Sequence, residues 1–307
     1  KNKMHFVINE NLGDSIVFYV VRCFTTFFFF IINAVLFLYI AKYRIASKTA
    51  TLLIKIETFV DLIILTFLPL ISLKENPQFQ SITESYARFY CYVIFTDAII
   101  FTLINHSVYF MVSLSIDRFI CIAFPLYYRR KSRRFAYIFI IMSFLCGFLV
   151  LFPDSYFTEM SLIYQNSSTN SSQLYYSCVL PKSFVPSLVF LISYAIGPII
   201  IIITLNTLSI RLLMKSMKIF ESGNIKMESR KKMIAKFTIA NIVSNLSYAF
   251  ILIIDMALFL VATIDKTSII QQHYFYYDPY FLTILTIINP LVYLILFKRF
   301  RKFSFSL

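Results

Sequence analysis

Asp117-Arg118-Phe119 closes a long apolar run that begins near Tyr90. A basic cluster follows it, made of Arg129, Arg130, Lys131, Arg133 and Arg134. An Asp–Arg pair at the end of an apolar helix is costly unless the charges pair or reach an aqueous face. Other apolar runs are also interrupted by polar residues: Asn33, Asp61, Asn105-His106-Ser107 and Asn289-Pro290-Leu291-Val292-Tyr293. Intramembrane polar groups of this kind usually face the bundle interior and bind one another. A carboxylate at that depth must find partners, bind a cation or take up a proton. Glu57, one helical turn before Asp61 and on the same face, puts a second carboxylate beside it. This is the chemistry of pairing and proton or cation binding. No paired catalytic aspartates, His/Glu metal set or nucleophile–base spacing appears, so an enzyme is not expected. The five cysteines and three histidines have no metal-ligand spacing.

The elements that position these residues must lie in a membrane. Of 307 residues, 59% are hydrophobic and 14% charged, which no ordinary soluble domain matches. Seven apolar segments, at about 16–41, 50–73, 89–124, 135–152, 184–214, 231–263 and 276–297, are long enough to cross roughly 30 Å of hydrocarbon. Lipid offers no partner for backbone groups, so each is a helix. The expected fold is an all-α membrane protein: a seven-transmembrane helix bundle with a short amphipathic cytoplasmic helix after span seven. Residues 1–15 form a short extracellular lead, 16–297 the bundle and 298–307 the cytoplasmic helix and tail. In that last segment Phe297, Phe300 and Phe303 recur among Lys298, Arg299, Arg301 and Lys302, as an interfacial helix requires. With four glycines and no tryptophan, the bundle is built from Phe, Ile and Leu rather than from small-residue crossings.

Charge sets the orientation. Of the 29 Lys and Arg, 20 follow spans one, three, five and seven or flank the loop after span five, and seven lie towards the other side. The positive-inside rule then places the N-terminus outside and the C-terminus in the cytoplasm. The loop between spans four and five carries two glycosylation acceptors, Asn166-Ser167-Ser168 and Asn170-Ser171-Ser172, together with Cys178. Cys91 sits at the outer end of span three. Both cysteines face an oxidising compartment, where disulfides persist. No basic stretch interleaved with aromatics lies on a polar surface, so nucleic acid is not a partner.

The ordered set resembles a rhodopsin-like (class A) G-protein-coupled receptor. It comprises Asn33, Asp61-Leu62, Cys91 with Cys178, Asp117-Arg118-Phe119, Pro198, Asn289-Pro290-x-x-Tyr293 and Phe300. The departures are Phe119 in place of tyrosine, no Trp in span four, no Pro in span six, and Asn206 where many members carry tyrosine. With the Phe/Ile-rich composition they resemble nematode chemosensory serpentine receptors of class sx.

That resemblance implies a plasma-membrane receptor that binds an extracellular ligand, an odorant or other chemosensory small molecule or a neuropeptide, and activates a heterotrimeric G protein. It implies a Cys91–Cys178 disulfide. It assigns coupling and activation to Asp117, Arg118, Phe119, Asn289, Pro290 and Tyr293. A polar core at Asn33, Asp61, Ser107 and Asn289 follows, with a sodium ion near Asp61 as the one candidate cofactor and a protonated carboxylate as the alternative. The candidate ligand pocket is Asp97, Ile100, Phe101, Tyr248, Asp255 and Asp278. Ile100 stands where amine receptors carry Asp, and Thr283 where opsins carry Lys, which disfavours both ligands. The three aspartates would ring the outer mouth with negative charge or simply be solvated helix ends. The competing reading is a seven-span transporter or channel using Asp61 and Asp97 as an ion path. The missing internal repeat and continuous helices stand against it.

Overall fold

The computed structural model describes residues 12–43, 47–72, 98–149, 159–166, 172–179, 192–219, 225–264, 269–297 and 304. Among them are seven α-helices: α1 (Leu12–Lys42), α2 (Lys48–Ser72), α3 (Ala98–Ala123), α4 (Pro125–Leu149), α5 (Gly197–Ile219), α6 (Ile225–Ile264) and α7 (Ile269–Leu296). They form the expected bundle. α1 packs on α2 and α7, α6 on α7, and α3 touches α2, α4, α5 and α6. α3 is thus the axis of the molecule, and it carries both Ser107 and the Asp117-Arg118 pair.

Four helices hold stretches long and apolar enough to cross a membrane: Val20–Lys42, Ile99–Ala123, Gly197–Lys215 and Ala235–Leu258. Among the described residues α7 adds a shorter apolar stretch, Thr283–Leu296. α2 carries Lys48, Lys55, Glu57 and Asp61, and α4 opens with the basic cluster. Large apolar side chains such as Phe24, Phe27 and Phe28 of α1 and Ile138, Ile141 and Leu145 of α4 point outward, as a lipid-facing surface requires.

Helix ends follow the sequence. Ser47 caps α2, its hydroxyl accepting the Ala50 N–H at 3.1 Å. α3 and α4 are separated by Phe124 alone, and Pro125 opens α4, where its missing N–H costs nothing. The helix that holds the expected fourth span therefore begins ten residues before it, at Pro125. Nothing in Tyr127–Arg134 breaks a helix, so the basic segment is continuous with α4.

A π-helical turn, Ile192–Ile196, leads into α5 at Gly197-Pro198. Pro198 removes a backbone donor and crowds the preceding turn, and the wider π turn relieves that crowding.

One element was not expected. Residues between α4 and α5 form an antiparallel hairpin of β1 (Glu159–Asn166) and β2 (Ser172–Val179). It pairs Met160 with Cys178 and Asn166 with Ser172. Tyr, Leu and Ile in both strands outweigh the Ser/Asn-rich connection between them. The amphipathic helix predicted after α7 falls on residues outside the described set, apart from Phe297 and Ser304.

Candidate functional site: a polar column from Asp61 to Arg118

Asp117 and Arg118 are 0% and 2% exposed, which rules out a pair that merely snorkels to the interface. Arg118 Nε donates to Asp117 Oδ2 at 3.1 Å, and Nη2 contacts the same oxygen. Nη2 also donates to Ser47 Oγ at 2.9 Å. Tyr128, in the first turn of α4, donates to Asp117 Oδ1 at 2.6 Å and lies 2.7 Å from Ser47 Oγ. Burial, and then the negative charge of Asp117, push the Tyr128 phenol well above its ordinary value, so it stays a donor. The α2 cap, the α3 charge pair and the α4 start therefore form one knot. A second strut, Thr49 Oγ1 donating to the Ser132 carbonyl at 2.8 Å, braces α2 against α4.

α6 meets this knot with an aromatic ring. The Arg118 guanidinium lies 4.7 Å from the centroid of Phe237, which is stacked on Tyr293 of α7 at 6.2 Å. Phe297 closes the aromatic group, 5.6 Å from Tyr293. A cation over an aromatic face is worth roughly 0.5–2 kcal/mol, more when desolvated, as here. One helical turn or two further into the membrane, Asn245 Nδ2 of α6 donates to Ser115 Oγ of α3 at 2.7 Å.

Deeper still, the structure brings Ser107 to Asp61, Oγ to Oδ1 at 3.0 Å. It does not bring Asn289 there. Asn289 Nδ2 donates to Glu57 Oε1 at 2.8 Å, and Asn289 Oδ1 accepts the Ser244 hydroxyl of α6. Asn33 is likewise separate. Its amide donates to the backbone carbonyls of Thr286 at 3.2 Å and Phe29 at 3.1 Å, tying α1 to α7. The expected single site is thus three separate stations, at Asn33–Thr286, Asp61–Ser107 and Glu57–Asn289–Ser244.

Asp61 and Ser107 line a cavity of about 10 Å³ with Tyr248 and Thr286. That room suits one water molecule. Asn289, expected at this site, is held by Glu57 and Ser244 instead. No cluster of His, Cys, Asp and Glu suited to a metal ion occurs among the described residues.

The ligand-pocket candidates do not converge into a described pocket. Ile100 is buried and Phe101 half-buried on α3. Tyr248 is buried beside Asp61. Asp255 corrects the expected outer ring: at 3% exposure it lies inside the bundle, well short of the α6 end at Ile264. Asp278 is on α7, but its side chain is outside the described set, and Asp97 and Cys91 are outside it altogether. Phe119 is half-buried, next to the knot in sequence.

Sequence reasoning missed Ser47, Tyr128, Phe237, Ser244 and Asn245. Tyr128 had a signal, since it stands just before the basic cluster and a phenol there invites a buried partner. Ser47 had the helix-cap signal immediately before α2. The three α6 residues had none, because rotation of a helix is not readable from its own sequence when polar residues occupy several faces.

The chain matches the family model of the 7 transmembrane receptor (rhodopsin family) over residues 32–293. It belongs to that family and is a multi-pass membrane receptor of the G-protein-coupled class. No curated protein matches it.

Proposed function

We propose that this receptor takes an odorant-like small molecule or a neuropeptide from outside the plasma membrane and activates a heterotrimeric G protein at the Arg118 face. The observation that carries this reading is the Arg118 knot. A buried arginine is held by Asp117 and Ser47 and covered by Phe237, so movement of one helix uncovers it. In the released state α6 swings away, Phe237 leaves the guanidinium, and the bonds Asn245–Ser115 and Ser244–Asn289 break. Pro290, which cannot donate to the helix ladder, gives α7 its local compliance beside Asn289. Arg118, Tyr293 and Phe119 then face the cavity that takes the G protein.

The cytoplasmic halves of α5 and α6 support that motion. Asn206 Nδ2, Ser209 Oγ, Thr238 Oγ1 and Asn241 Nδ2 are buried with no protein partner among the described residues. Each such group costs about 1–3 kcal/mol while buried. Opening lets water reach them, which lowers the cost of the active state.

The N-terminus is placed outside and the C-terminus inside by the basic loops, with the hairpin, Asn166, Asn170 and the Cys91–Cys178 bridge on the ligand side. The polar core works by hydrogen bonds between helices, and no step is assigned to sodium. The direct test is a ligand screen in cells expressing the receptor, read by cyclic nucleotide and calcium. A response lost when Arg118 is replaced supports the reading, and ligand-driven ion flux without nucleotide exchange contradicts it.

A further inference from the structure

Two residues of the Asn105-His106-Ser107 triplet are engaged. Ser107 reaches Asp61 of α2, and His106 reaches the Ser143 carbonyl of α4. Ile104 lines the Asp61 cavity beside Tyr248 of α6. Successive residues turn by about 100° around a helix, so Asn105 stands a further step past His106, away from Ser107. Of the four helices packed on α3, α5 is the one left for it to face. Asn105 is 0% exposed, and neither its amide nitrogen nor its amide oxygen has a partner among the described residues. A primary amide buried with both ends open is costly, and such groups call for a reason.

We propose that Asn105 is the residue that recognises the extracellular ligand, and that this ligand is a small neutral amide, a carboxamide or lactam on an apolar skeleton. This rests on the reading of the chain as a receptor for an outside ligand, and it selects the small molecule over the neuropeptide. An amide fills both open ends at once. Its carbonyl accepts from Asn105 Nδ2, and its N–H donates to Asn105 Oδ1. An ester supplies only the first bond and an amine only the second.

The walls agree with a neutral guest. Residues 98–116 of α3 and 192–210 at the entry of α5 contain no Asp, Glu, Lys or Arg. A charge brought there would be buried without a counter-charge. Ile104 and Val108, beside Asn105 on α3, belong to one apolar core. α5 joins that core through Ala195, the smallest side chain of its π turn, so the two helices part there with little repacking. About 20 Å of helix separate Asn105 from Arg118, which keeps ligand and G protein on different sites.

The test uses the purified full receptor in nanodiscs, without G protein, and reads thermal unfolding against ligand concentration up to the millimolar range. The probes are hexanamide, N,N-dimethylhexanamide, methyl hexanoate and hexylamine. Hexanamide should raise the melting temperature of the parent receptor, and the other three should do so far less. Asn105→Leu should weaken hexanamide binding about tenfold or more and leave methyl hexanoate within about twofold. The ligand-free Asn105→Leu receptor should be no less stable than the parent, because the open amide is gone. Asn105→Ala carries the same comparison if the leucine does not fit. No stabilisation by hexanamide, equal stabilisation by methyl hexanoate or N,N-dimethylhexanamide, or undiminished binding in the Asn105 variants overturns the proposal. Loss of stability in Asn105→Leu with no amide bound by the parent points to a buried water alone and also overturns it. Hexanamide binding through Asn105 without any nucleotide exchange would sustain the site and refute the signalling reading instead.

Discussion

Asn289 has one side-chain amide, and both ends of it are taken. Glu57 of α2 accepts from its nitrogen and Ser244 of α6 donates to its oxygen, so a single residue of α7 couples two other helices. A buried hydrogen bond of this kind contributes about 0.5–1.5 kcal/mol net, more where its loss leaves a partner unsatisfied. Glu57→Leu removes it and should raise ligand-independent nucleotide exchange on the order of tenfold, since about 1.4 kcal/mol is a factor of ten. Glu57→Gln keeps an acceptor oxygen and should leave basal exchange near the parent value. Equal basal exchange in all three would show that the bond carries no weight. Asp61 gives a separate prediction. With Ser107 as its one described side-chain partner and room for a single water, basal exchange should be the same in sodium and in a bulky organic cation at equal ionic strength. A sodium-dependent difference that disappears in Asp61→Asn would restore an ion to the site.

Between elements, the closest constraint is where α3 meets α4. His106 lies 3.3 Å from the Ser143 carbonyl and is edge-packed by Phe144 and Phe148 at 4.7 and 4.9 Å. Gly147 makes room for it: a Cβ there would fall 1.9 Å from His106 Nδ1. Gly147→Ala should therefore cost about 1–3 kcal/mol by overpacking, read as a lower melting temperature of the purified receptor. His106→Ala added to it should recover part of that loss. An unchanged melting temperature for Gly147→Ala would mean that α3 and α4 are not packed this closely. The sequence made the helices and the polar residues within them legible, because hydropathy and buried charge are local properties. The resemblance to the receptor family put Ser107 in the polar core, and the structure places it on Asp61. Which polar residues pair was not legible. Asn289 meets Glu57, one turn of α2 before Asp61, rather than Asp61 itself. The hairpin was hidden for another reason: strand pairing needs two segments to be read together, and the Ser/Asn connection dominated the local pattern.

At the scale of the whole molecule, α6 is tied to its neighbours by Phe237 on Arg118 and Tyr293, Asn245 on Ser115, and Ser244 on Asn289. At roughly 1 kcal/mol each they sum to a few kcal/mol. A ligand needs about 5.5 kcal/mol of differential affinity to carry an equilibrium from 1:99 to 99:1. The orientation proposed from the basic loops would put Asn166, at the end of β1, and Asn170, which lies outside the described residues, on the outer side of the membrane. Glycosidase treatment should shift the mobility of the surface receptor, and Asn166→Gln with Asn170→Gln should abolish the shift. Retention of the shift in that double variant, or modification of the basic loops instead, would reverse the topology. The central claim concerns Arg118. Nucleotide exchange on a panel of purified G-protein heterotrimers should be accelerated by the Glu57→Leu receptor in nanodiscs, and the same receptor carrying Arg118→Ala should be silent at equal amount and stability. Undiminished exchange with Arg118→Ala would contradict the account.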